Sequence, residues 1–188
     1  MEYRKEATRI LLAEGLKTVM QRQSFEKITI KMITDEAGVI RPTFYHYFQD
    51  KYELLEWIFE EEVVRRVREV LDVSKGTETI RLFFVLLSRE KPFYRKALEI
   101  KGQNSFEEIL YCDIYRMFLE VIREYGLKDR DKHKHLTPEW AAAYYANGLA
   151  NVVKFWLLSD EEVLPEHVAD TYFHLLTHSV FDIVDRKK

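Results

Sequence analysis

The chain is short of the residues that staple or break a backbone. A single cysteine, Cys112, permits no internal disulfide, and a lone thiol fits a reducing compartment better than an oxidising one. Tyr111 and Asp113 flank it with no basic neighbour in sequence, so a buried, inert thiol is expected. Only four prolines and six glycines interrupt 188 residues, and alternating polar-apolar strand patterns are missing. No apolar run approaches the ~20 residues that span a bilayer. The N-terminal stretch MEYRKEATRI carries mixed charges where a secretory signal needs a continuous apolar segment. These absences exclude a disulfide scaffold, a membrane partner and export, and give the cytoplasm as the expected location. Catalytic signatures are missing as well: there is no glycine-rich phosphate loop, nucleophile elbow, HExxH or paired CxxC. Neither an enzyme nor a cofactor is expected.

What is present is apolar periodicity. With 47% apolar and 14% aromatic residues, the chain can bury a substantial core. Long helical patterns follow one another, so the predicted class is all-α. A first helix covers roughly 3–21, with Ala7, Ile10, Leu11 and Leu16 among its buried candidates. Another runs from about 51 to 71, with Leu55, Ile58, Phe59, Glu62 and Val63 near one face. A linker with Ser74 and Gly76 precedes a helix to about Arg89, and Pro92 starts a short one to Ile100. Ser105 and Glu108 form a capping-box pair that opens a helix ending at Gly126. After a charged loop at 128–135, Thr137 and Pro138 start a helix to Leu158, and the last runs from Pro165 to about Val184.

The segment ITIKMITDEAGVIRPTFYHYFQDK, residues 28–51, carries the most information. Thr29 is a plausible N-cap, and Ile30, Ile33, Thr34 and Ala37 recur at helical spacing behind it. Gly38 ends that helix, because glycine reaches positive φ without steric cost. Val39 and Ile40 supply apolar contacts at the corner. Pro42 suits the first turn of a second helix, where its missing N–H has no partner anyway. Phe44 and Phe48, four apart, face inward and leave Arg41, Thr43, Tyr45, His46 and Tyr47 on the remaining surface. Arginine can bind guanine bidentately, threonine and proline offer contacts to the thymine methyl, and tyrosine hydroxyls donate to phosphates. Thr29 and Lys31, at the start of the preceding helix, are placed to hold the adjacent DNA backbone. This is the layout of a DNA-reading helix-turn-helix.

Thr29, the Ala37-Gly38-Val39 turn, Thr43-Phe44-Tyr45, Tyr47-Phe48, Lys51 and Leu54-Leu55 together resemble the N-terminal DNA-binding domain of the TetR family of transcriptional regulators. The resemblance implies a helix-turn-helix domain over 1–50 and a helical effector-binding and dimerisation domain over 51–188. It implies base contacts from Arg41, Pro42 and Thr43, and backbone contacts from Tyr45, Tyr47 and Lys51. Ile40 departs from the pattern, standing where the family often has a small polar residue. The stretches KYELLEWIF at 51–59, FYRKAL at 93–98 and GQNSF at 102–106 are similar to one subgroup, which includes the dihydroxyacetone-kinase regulators. The implied partners are double-stranded operator DNA, a second copy of the chain and a small-molecule or protein effector. Repression relieved by a ligand is the family default; activation with a protein coactivator is the variant that the subgroup suggests.

Charge is consistent with that reading, though weakly. Residues 1–51 hold nine basic and seven acidic side chains, or +2, and residues 52–188 hold twenty against twenty-five, or −5, summing to the net −3. Within 28–51, Lys31, Arg41 and Lys51 are balanced by Asp35, Glu36 and Asp50. Few counterions would be released per subunit, so useful DNA affinity needs a dimer.

The second domain is rich in aromatics. Tyr111 and Tyr115 are four apart on one helix, and Trp140, Tyr144 and Asn147 share a face of another. Were the two faces to meet, they would line a ligand pocket with a few polar anchors; ordinary core packing explains the same spacing. Ala142, Ala143, Ala146, Gly148 and Ala150 make the 138–158 helix small-sided, which serves either tight packing within one subunit or the four-helix dimer bundle that the resemblance implies. His174 and His178 lie at i, i+4 without completing ligands, so no metal is expected. A protein-interaction module that binds DNA weakly, and a small helical enzyme, are the alternatives from other classes.

Overall fold

The computed structural model describes residues 2–71, 75–102, 104–128 and 134–184, with side chains from residue 6 onward. Ser74 of the expected linker, Gln103 of the 102–106 stretch and His133 of the charged loop lie outside the described residues. The helices are α1 (Glu2–Arg22), α2 (Ile30–Glu36), α3 (Arg41–Tyr47), α4 (Lys51–Phe59), α5 (Arg65–Arg68), α6 (Gly76–Arg89), α7 (Lys91–Ala97), α8 (Phe106–Tyr125), α9 (Pro138–Leu158), α10 (Pro165–Thr177) and α11 (Val180–Ile183). A 3₁₀ turn spans Phe25–Lys27, and a π-helical turn, Glu60–Val64, joins α4 to α5. The fold is all-α, as expected. Its packing divides into two compact units, one of residues 1–62 with 90–109 and one of residues 63–89 with 110–188.

In the first unit α1 is the central element, packing on α2, α4 and α7. Its inward stripe is Leu12, Ala13, Leu16, Val19 and Met20, all buried. Ala7, Ile10 and Leu11 were expected inside but are exposed. At 3.6 residues per turn they fall on the face opposite that stripe. Phe44, Phe48, Leu54, Leu55 and Ile58 are also buried in this unit.

A charged group is buried beside them. Lys17 is 5% exposed and its Nζ meets carboxylates of Glu62 at 2.5 Å, Glu14 at 3.2 Å and Glu90 at 3.6 Å. The fully buried Tyr94 donates its hydroxyl to Glu62 at 3.3 Å. Burial works against the ammonium, but the hydrogen bond and charge of Glu62, with Glu14 and Glu90, outweigh it and hold the pKa above the ordinary lysine value. A buried cation without such partners would cost several kcal/mol (about 3–5 on breaking a pair). Glu62 sits in the π turn, where a continuous helix from 51 to 71 was expected. Period counting sees the helical face and not the widened turn that carries this pairing.

The second unit has its core around Phe83, Phe84, Leu87, Ile114, Leu149, Val153, Trp156 and Tyr172. Capping follows the sequence closely: Thr137 accepts from the Trp140 N–H at 3.2 Å, and Gly126 takes φ 76° after α8. Ala142 and Ala146 are fully buried within this unit, so these small side chains serve internal packing. Arg81 on α6 makes two hydrogen bonds to Asp170 of α10, at 2.6 and 2.9 Å. The expected last helix is broken after Thr177. His178 is extended (ψ 140°), and Ser179 starts α11 by a reciprocal capping box with Asp182. Cys112 is half-buried rather than buried.

Candidate nucleic-acid interface and effector cavity

Residues 29–51 form two short helices at a glycine corner. The Thr29 hydroxyl accepts from the Met32 N–H at 3.3 Å and caps α2. Gly38 has φ 68°, which brings the Val39 N–H to the Thr34 carbonyl at 3.0 Å. That bond satisfies a carbonyl left open by the helix end. Pro42 lies in the first turn of α3. Phe44 and Phe48 are buried, their ring centroids 5.8 Å apart, and Phe48 packs on Trp57 at 5.7 Å. These anchors press one face of α3 inward. Arg41, Pro42, Tyr45 and His46 are exposed, and Thr43 and Tyr47 are half-buried.

Several of the exposed groups are pre-arranged. Arg41 donates from Nη2 to the Tyr45 hydroxyl at 2.9 Å, and its guanidinium lies 5.4 Å from the Tyr45 ring centre. The pair is held one helical turn apart, with guanidinium donors to spare. Lys31 is ion-paired to Asp35 on the same exposed face of α2. Arg9 of α1 sits 5.7 Å from the Tyr47 ring centre. Sequence reasoning passed over Arg9; a basic side chain on the outer face of the first helix was the available signal.

Two residues of this segment differ from expectation. Val39 is half-buried at the corner, but Ile40 points away from it and is 69% exposed. Lys51 turns inward: its Nζ donates to the carbonyls of Phe25 at 2.6 Å, Ile28 at 2.9 Å and Glu26 at 3.3 Å, above the Phe25 ring at 4.6 Å. An ammonium has three donors, and in this structure these three carbonyls take all of them. Burial lowers the Lys51 pKa, against the pull of Glu26 and Asp50.

The five residues expected to line a ligand pocket do not converge. Tyr111 and Tyr115 stack on α8 with centroids 6.1 Å apart. Trp140 and Tyr144 are 68% and 74% exposed, and Asn147 bonds back to the Ala143 carbonyl of its own helix at 2.8 Å. The cause is the α9 periodicity, which turns Ala142, Ala146, Leu149 and Val153 inward and puts 140, 144 and 147 on the opposite side. The second unit does hold a cavity of about 250 Å³ elsewhere, lined by Val67, Leu71, Gly76, Thr79, Ile80, Phe83, Ile114, Met117, Phe118, Val121, Leu149, Phe173 and Leu176. Thr79 is the one polar side chain in that lining, and it donates to the Val70 carbonyl at 3.4 Å. No group of described residues is arranged to hold a metal ion.

A capped helix, a positive-φ glycine corner and a second helix that buries its phenylalanines while presenting Arg41 to Tyr45 define a helix-turn-helix, the frame of a DNA-binding protein. Comparison with known proteins makes the class narrower. A family model described as "Bacterial regulatory proteins, tetR family" matches residues 12–58, and one described as "Transcriptional regulator C-terminal region" matches residues 76–178. The chain belongs to the TetR family of transcriptional regulators, and its relatives are regulators rather than enzymes. It is 25% identical over 147 residues to the HTH-type dhaKLM operon transcriptional activator DhaS of Lactococcus lactis, covering 78% of each chain. Among solved structures it is similar to the dihydroxyacetone kinase operon activator DhaS (TM-score 0.65, 22% identity, 90% and 93% of the two chains). It is also similar to NalD, the secondary repressor of the MexAB-OprM multidrug efflux pump in Pseudomonas aeruginosa (TM-score 0.63, 18% identity, 90% and 96%). No helix among the described residues is long and apolar enough to cross a membrane.

Proposed function

We propose that the protein binds a palindromic operator as a homodimer and that an effector bound in the second unit changes its affinity for that operator. The carrying observation is the exposed, internally braced Arg41–Tyr45 pair at the start of a proline-initiated helix. Arg41, Pro42 and Thr43 meet base edges, while Thr29, Lys31, Tyr45 and Tyr47 meet the sugar-phosphate backbone. Lys51 acts as a positioning residue that ties α4 to the 25–28 turn. In functional terms residues 1–50 read DNA, and residues 51–188 bind effector and make the dimer.

The dimer is supported by large apolar side chains exposed on the outer face of α9. Trp140, Tyr144 and Phe155, at 68%, 74% and 75% exposure, share one face with Leu158 at 41%. Exposed apolar stripes of this kind mark interaction surfaces, and twofold pairing would set two copies of α3 about 34–36 Å apart on successive major-groove faces. The effector site we assign is the apolar cavity, in place of the Tyr111, Tyr115, Trp140, Tyr144 and Asn147 set. A ligand there shifts operator affinity only by its differential affinity for two relative positions of the paired recognition helices, one that fits the operator and one that does not, and the coupling is reciprocal. Repression relieved by ligand is the first reading. Activation is the second, favoured by the relative named a transcriptional activator. The cytoplasm is the proposed location.

Selection of genomic DNA fragments by the purified protein at near-physiological salt tests the reading, with an Arg41→Ala, Thr43→Ala double variant alongside. A palindrome enriched by the wild type and lost by the variant is the expected result. Sequence-blind binding by both, or none, would move the protein to the interaction-module class.

A further inference from the structure

We infer that Ile40 is a specificity-determining residue that contacts the methyl group of one thymine in each operator half-site; this rests on the DNA-reading function proposed above. Ile40 is the N-cap of α3, with φ −86° and ψ 151°, and makes no side-chain cap. That extended geometry is the one in which a serine or threonine hydroxyl reaches the N–H of the third helical residue, here Thr43. Isoleucine forgoes this bond. It also leaves a branched apolar side chain 69% exposed, while its neighbour Val39 is the one packed at the corner. Within the first unit, therefore, the side chain supplies neither a cap nor core packing.

The same position suits base reading. The N-terminal residues of a recognition helix meet base edges, and Ile40 directly precedes Arg41, whose guanidinium is braced on Tyr45. The one apolar group on a major-groove base edge is the C5-methyl of thymine. A β-branched side chain is already restricted at χ1, so it loses little freedom on making that contact. Arg41 then reads hydrogen-bond acceptors, and Ile40 reads a methyl beside them.

The test is a methyl-deletion scan of the selected operator, replacing each thymine in turn by deoxyuridine in both half-sites, with wild type and Ile40→Ser. At one symmetric position wild type should lose about fourfold in affinity per half-site, or about 15-fold for both, the value of one buried methyl group. Ile40→Ser should show no loss there, should keep the losses elsewhere, and should melt close to the wild-type temperature, because the side chain is exposed and the Thr43 N–H already donates to the Ile40 carbonyl at 2.9 Å. Identical deoxyuridine profiles for the two proteins would overturn the inference while leaving the DNA-reading proposal standing. Failure of wild type to select any palindrome would overturn both.

Discussion

At the scale of single residues, Lys51 and Arg41 show what charge and position alone convey. Both are basic and both lie in the helix-turn-helix segment, so both read as DNA contacts. Arg41 is exposed and paired with Tyr45, whereas Lys51 gives all three of its donors to carbonyls at 25, 26 and 28. Sequence displays the charge; it does not display the direction in which a long flexible side chain is drawn. Lys51→Met should destabilise the first unit by about 2 kcal/mol, since hydrogen bonds from a charged donor are lost and the part-buried Ile28 carbonyl loses its ammonium donor, while the Phe25 carbonyl keeps the Ile28 N–H at 3.1 Å. Thermal melting would show this as a lowered midpoint. Arg41→Ala should leave the stability within about 0.5 kcal/mol of wild type, as surface changes do, and weaken operator binding in a mobility-shift titration. An unchanged melt for Lys51→Met would return Lys51 to the surface.

Among the elements, those with local signals were legible and those set by distant partners were not. Thr29 and Thr137 cap α2 and α9 as read, and the positive-φ glycines at 38 and 126 end α2 and α8, because caps and turns depend on neighbours within a few residues. The π turn at 60–64 carries Glu62, whose partner Lys17 lies 45 positions away, and no periodicity announces it. Gly15 is a second case. It lies mid-helix in α1, and a Cβ there would stand 2.8 Å from the Ile33 carbonyl oxygen and 3.2 Å from the Ala37 Cβ. The absent side chain lets α1 and α2 approach. Alanine would add about 1 kcal/mol of helix propensity, but the clash with backbone should exceed that by about 1–2 kcal/mol net. Chemical denaturation of Gly15→Ala should therefore report a less stable protein, and a gain in stability would show that α2 yields freely.

For the whole molecule the questions are association and pH. The α9 stripe predicts that Phe155→Glu, which puts a charge at a site 75% exposed in the single chain, converts a dimer into a monomer in sedimentation and weakens operator binding with it. An unchanged mass would direct the dimer to another face. Tyr172 predicts an alkaline limit to stability. It is buried, donates to the Tyr145 carbonyl at 3.3 Å, and burial, with smaller contributions from Tyr145 and Tyr144, drives its pKa far above the ordinary value of 10.0. Because the folded-state pKa is raised, the stabilisation is complete below pH 10 and is lost as pH rises, while the unfolded tyrosine ionises and the folded one cannot. The slope approaches about 1.4 kcal/mol per pH unit. Denaturation midpoints followed from pH 9 to 11 should fall more steeply for wild type than for Tyr172→Phe, and parallel curves would remove Tyr172 from the account.

By itself the sequence determined the all-α class, the helix-turn-helix and most helix starts and stops, since each rests on relations between residues one to four apart along the chain. Tertiary structure decided which face of each helix is inside. It turned Lys51 toward carbonyls, buried Lys17 among three carboxylates, left Trp140 and Tyr144 on an outer face, and opened a cavity among side chains from five helices that no spacing rule joins. Those outcomes depend on how helices distant in sequence pack, and packing is settled by shape and burial over the whole unit rather than by any local pattern.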